Sequence, residues 1–171
     1  MKILASILFI LVIEYNIPWT SSQPLEWTDF KGKAEKNSDF NAMTYSGIEF
    51  KWSSKSSGSD LTLTFNVSSY FDQEKSWVKK GKETAYLLNH EQLHFDITEL
   101  HARHLKKRCS DFTFSKNYAL EVDSIYKVVQ KEKNDMQELY DLESNHSINK
   151  EGQIKWNNFV KQELKNHPIK K

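Results

Sequence analysis

Cysteine occurs once in the 171 residues, proline three times and glycine five times. The single cysteine, Cys109, excludes an internal disulfide, so any stability outside the cell has to come from packing alone. No cysteine follows the N-terminal apolar run, which argues against a lipid anchor on that side chain. An excess of one charge is also missing: 24 Lys and Arg face 23 Asp and Glu, for a net charge of +1. That balance removes any general electrostatic reason to bind nucleic acid. No apolar stretch is long enough to span a bilayer comfortably; the longest, residues 3–13, has the length of a signal-peptide core. A lysine precedes it, and Thr20, Ser21 and Ser22 follow it. Residues 1–22 are therefore read as a signal peptide cleaved after Ser22. The product, 23–171, would be secreted or periplasmic, with no stable membrane insertion.

What the chain does hold is apolar patterning of two periods. Hydrophobic residues make up 38% and aromatics 13%, enough for one packed domain. In "GIEFKW" and "LTLTFNV" apolar side chains alternate with polar ones, the period of half-buried antiparallel strands. The intervening "SSKSSGS" reads as a hairpin loop, and the phase break at Gly47 as a bulge. From about Glu83 the period becomes helical. Helices are expected over about 83–108, 118–142 and 151–164. Strands first and helices second imply an α+β fold, with helices on one face of an antiparallel sheet.

The first helix carries "HEQLH", residues 90–94. His90 and His94 stand one turn apart and about 40° around the axis, so two imidazoles can converge on one ion. Glu91 projects beside such an ion, where it can accept a proton from a water that the ion has acidified. A catalytic zinc site needs a third protein ligand and an open position. His101 lies about 10 Å along the axis from His94, too far for one ion, which rejects it and His104 as partners. Glu99 points to the opposite side, and Asp96 is cast as a supporting or capping group. The third ligand must then come from "YDLESNHS", which offers Asp141, Glu143 and His146. Ser144, Asn145 and Ser147 stop the preceding helix and leave His146 on a turn, free to swing inward. His146 is the expected third ligand, with Glu143 second. Tyr140 packs in the core or supports an oxyanion, the core being favoured.

"LLNHEQLHFDITELHAR" together with "YDLESNHS" resembles a family of bacterial exported proteins of unknown function, predicted to be zincin-like zinc-dependent proteases, whose pattern includes H-E-Q-x-H-F-D. "EWTDFKG", "SWV" and a later Gln and Trp extend the similarity from Trp27 to Trp156. The resemblance implies His90, His94 and His146 as zinc ligands and Glu91 as the catalytic base. Leu93 departs from the small residue usual there, Ser144 from threonine, and Ser147 from the glycine that follows the histidine.

Two functions follow. The first is a zinc-dependent peptide-bond hydrolase acting on a protein or peptide substrate, with water activated by Zn2+ and Glu91. The second is a non-catalytic zinc-binding or protein-interaction module of the cell envelope. With three histidines and no nearby cysteine the open, catalytic site is the better fit. A fourth protein ligand at Glu143 or Asp141 would reverse that preference.

Overall fold

A computed structural model describes residues 15–57 and 60–168 of the chain. The apolar run at 3–13, on which the signal-peptide expectation rests, lies outside the described residues. Among the described residues the fold is α+β: five strands and one short 3-10 turn, then three α-helices. The strands are β1 (Asn16–Pro18), β2 (Ala42–Met43), β3 (Ser46–Ser57), β4 (Asp60–Asp72) and β5 (Trp77–Val78). The helices are α1 (Ala85–Asp111), α2 (Tyr118–Ser144) and α3 (Lys150–Asn166). The main sheet has the antiparallel order β1-β4-β3, and β2 pairs with β5 in a separate two-stranded ribbon.

Period-two patterning sets the hairpin. Thr62, Thr64 and Asn66 are exposed while Leu61, Leu63, Phe65 and Val67 turn to the half-buried face. Two local readings are corrected. β3 and β4 pair residue for residue from Ser46↔Phe71 to Ser57↔Asp60, so Ser53–Ser57 continue a strand instead of looping out. Nor is there a bulge at Gly47. It sits opposite Tyr70, and a Cβ there would lie 2.6 Å from the end of that ring, so a larger residue would have to displace the Tyr70 side chain. β1 adds a third strand through Asn16↔Asp72 and Pro18↔Tyr70. Cleavage after Ser22 would remove β1, and with it the 2.7 Å hydrogen bond from Trp19 Nε1 to Asp96.

α1 is the centre of the molecule. Thr84 caps it by accepting from the Leu87 amide, and no proline or glycine interrupts its 27 residues. Its sides feed three clusters. Ala102, Leu105 and Cys109 pack with Ile48 and Val129, while Leu93 and Ile97 pack with Tyr140, Trp156 and Val160. Phe95 packs with Leu25, Phe30 and Phe71. Burying each such side chain contributes about 1.5–3 kcal/mol, so α1 is fixed from several directions. Burial also pushes the Cys109 thiol up to about 11, in keeping with a structural role. Among the described residues no helix is long and apolar enough to cross a membrane.

Candidate metal centre

α1, α2 and the turn after α2 meet at the two histidines. His90 is buried on α1, and its Nε2 lies 3.2 Å from that of His94. From α2, Asp141 Oδ1 lies 3.2 Å from His90 Nε2 and 3.1 Å from His94 Nε2. Three donor atoms therefore form a nearly equilateral triangle. Bonds of about 2.0–2.1 Å at tetrahedral angles place donors about 3.3 Å apart, so the triangle has the size of one face of a zinc tetrahedron.

The supporting residues fix which nitrogen points inward. The Gln137 amide nitrogen donates to the His94 carbonyl at 2.8 Å, which turns its Oε1 toward His94 Nδ1. Gln153, on α3, donates its amide to Asn157 at 2.9 Å and presents Oε1 to His90 Nδ1 at 3.0 Å. The Tyr140 hydroxyl also donates to Gln153 Oε1, and its oxygen is 2.7 Å from His90 Nδ1. Both Nδ1 atoms thus face acceptors and carry the hydrogen, leaving both Nε2 lone pairs aimed at Asp141. Three acceptors converging at 3.1–3.2 Å repel one another unless a cation lies between them. Without a metal that cation is a proton. Burial alone would lower the His94 pKa, yet the hydrogen bond and charge of Asp141, with help from Glu91, raise it. Burial likewise opposes ionisation of Asp141, but the two imidazoles hold its carboxyl well below the usual range.

Glu91 is 3% exposed and lines the same cleft, of about 490 Å³. Among the described residues nothing hydrogen-bonds its carboxylate, although Thr44 fixes its backbone carbonyl at 3.2 Å. A buried carboxylate without a protein partner is costly unless it serves a ligand or reaction. Lys133, Gln137 and Asp141 follow at i, i+4 and i+8 along the cleft wall. Lys133 has no acidic partner among the described residues, and burial lowers its pKa.

The structure brings His90, Glu91 and His94 together as the spacing requires. His146 lies at the cleft mouth, its side chain 48% exposed, with Nδ1 3.6 Å from Asp141 Oδ1 and its ring 4.9 Å from that of Phe40. α2 does end at Ser144, and Asn145, His146 and Ser147 follow at φ of 46°, 47° and 71°. The left-handed backbone at Ser147 is a conformation that favours glycine. Glu143 is turned away, bound to Trp156 Nε1 at 2.8 Å and Lys155 at 3.0 Å. Glu99 binds Arg103 and Ser69, and His101 donates to the Ile97 carbonyl, so neither approaches the triangle. Sequence reasoning missed Gln137 and Gln153 as supports and ranked Asp141 behind its neighbours. The i, i+4 spacing of Gln137 and Asp141 on one helix was the available sign.

A family described as bacterial proteins of unknown function, DUF922, matches residues 25–147. The chain belongs to that family. The DUF922 segment spans β2 to β5, α1, α2 and the His146 turn, but stops before α3 and Gln153. No curated protein and no solved structure matches the chain.

Proposed function

We propose that this DUF922 chain is an exported, zincin-like metallopeptidase of the HExxH type, hydrolysing peptide bonds in a protein or peptide. The observation that carries the reading is the convergence of three acceptor atoms beside a buried, unpartnered Glu91. His90 and His94 would hold zinc, and the donor set of two imidazoles and a carboxylate suits that ion. When bound, zinc would supply Lewis acidity, polarising a carbonyl and acidifying a water molecule. Glu91 then accepts the proton of the attacking water and passes it to the leaving amine. Gln137, Gln153 and Tyr140 keep both imidazoles in one tautomer and orientation. The half-enclosed cleft limits the water that reaches Glu91.

Two assignments of the third donor follow. Asp141 completes the triangle as it stands, whereas His146, the residue expected from sequence, lies outside it with Nδ1 3.6 Å from Asp141 Oδ1. A second reading rests on the 3.6 Å approach of His146 to Asp141. If both residues ligate, the site closes with four protein donors and becomes structural, in a non-catalytic envelope module.

Zinc content and affinity of the purified chain decide among these. Expected are one tightly held zinc at this site, its loss in His94→Ala, and its retention in Glu91→Gln with peptide hydrolysis abolished. Comparing Asp141→Ala with His146→Ala identifies the third donor. Loss in both, with no binding of a hydroxamate by the wild type, would establish the closed structural site. A wild type that takes up no zinc through His94 sinks the enzyme reading.

A further inference from the structure

The remaining histidines of "HARH" and of the C-terminal "HPIKK" are 63 positions apart in sequence (104 to 167) but meet in space. His104, on the far half of α1, faces Glu163 and His167 at the end of α3. One donor atom from each lies within 4.8 Å of the other two, and all three side chains are half-buried. The His104 and His167 rings are 4.5 Å apart between centroids.

Three features make this more than a chance surface grouping. First, the end of α3 is positioned without any ion: Arg103 donates to the carbonyls of Leu164 at 2.7 Å and His167 at 2.9 Å. Second, His167 Nδ1 lies 3.2 Å from the Glu163 carbonyl, which places the hydrogen on Nδ1 and leaves Nε2 as a donor. Asn166 binds Glu163 Oε1 at 3.0 Å, leaving the other carboxylate oxygen free. Third, among the described residues neither ring nitrogen of His104 has a hydrogen-bond partner. The nearby cations are already paired, Arg108 with Glu132 at 2.9 Å and Lys107 with Asp111, so they do not neutralise Glu163. Glu163 lies in the last turn of α3 and His167 caps its end, which brings both donors to the side of the helix end that faces His104.

We propose that His104, Glu163 and His167 form a second metal site, taking a divalent transition ion such as zinc or nickel and tying the end of α3 to α1. Two imidazoles and one carboxylate suit those ions better than calcium or magnesium, which prefer all-oxygen shells. The site stands apart from the first and does not depend on catalysis.

The test is metal stoichiometry of the full chain, stripped with chelator and dialysed against zinc chloride. Two ions per chain are expected. His104→Ala and Glu163→Gln should each bind one, as should His94→Ala, and the double variant His94→Ala/His104→Ala none. His167→Ala, at the end of its helix, gives the same readout should His104→Ala fail to fold. One ion that persists in His104→Ala and His167→Ala but disappears in His94→Ala overturns this site and leaves the first intact. One ion with the opposite pattern supports this site and removes the other. No ion at all overturns both.

Discussion

At the scale of single residues the candidate metal centre would depend on side chains that never touch the proposed ion. Gln153 accepts from His90 Nδ1 and is itself held by Asn157, so the ring is fixed from behind. Supporting groups of this kind typically change metal affinity about 10- to 100-fold. Gln153→Leu should therefore weaken zinc binding by that factor while the far-UV spectrum stays native, as a competitive chelator titration would measure. An unchanged affinity would mean that Tyr140 alone orients His90. The HExxH pair and Glu91 were legible because i, i+4 spacing on a helix fixes their direction without tertiary help. The roles of Gln137 and Gln153 were not, since an amide on an amphipathic helix reads as solvated surface until a partner helix covers it.

Among elements, the join between α2 and α3 decides whether that support reaches the site. Asn149 caps α3, accepting from the Gly152 amide at 3.2 Å and donating to the Glu143 carbonyl at 2.9 Å. The two helix ends approach so closely that a Cβ on Gly152 would lie 2.3 Å from that carbonyl oxygen. Gly152→Ala gains about 1 kcal/mol of helix propensity yet must push the backbones apart. The clash should win, giving a net loss of about 1–3 kcal/mol in denaturant unfolding and a weaker zinc site, because α3 carries Gln153. An alanine variant as stable as wild type would show that the join is soft. Helix positions along the chain were readable within a few residues, as 83–108, 118–142 and 151–164 against the observed α1, α2 and α3. Strand lengths were less so. Serine-rich Ser53–Ser57 resembles a loop in composition, and only its pairing with β4 makes it a strand.

For the whole molecule, the proposed metal and a proton would compete for one point. The folded pKa of His94 is raised above 6.5, so the His94–Asp141 pair stabilises the metal-free protein fully below the unfolded value. That contribution is lost as pH rises through the raised pKa. His101 and His104 oppose that loss up to about one pH unit above 6.5, because burial keeps both neutral in the folded state while the unfolded imidazoles still release protons there. Zinc needs the neutral imidazole, and its affinity should fall about tenfold per pH unit below the raised pKa. Thermal unfolding should then show the stability gained in zinc relative to excess chelator growing as pH rises above about 6.5. At a free zinc concentration 100 times the dissociation constant the ion adds about 2.7 kcal/mol. Parallel pH trends in the two conditions would argue against an ion at His94.

The sequence by itself determined that strands precede helices, the α+β class and the placing of His90, Glu91 and His94 on one helix, because short-range periodicity governs each. It also placed His146 on a turn, since Ser144 and Asn145 end the helix locally. Tertiary structure decided which distant groups come to that helix. Asp141 reaches the imidazoles, Glu143 turns to Trp156, and His104 meets His167, through helix packing that no spacing within a single element encodes.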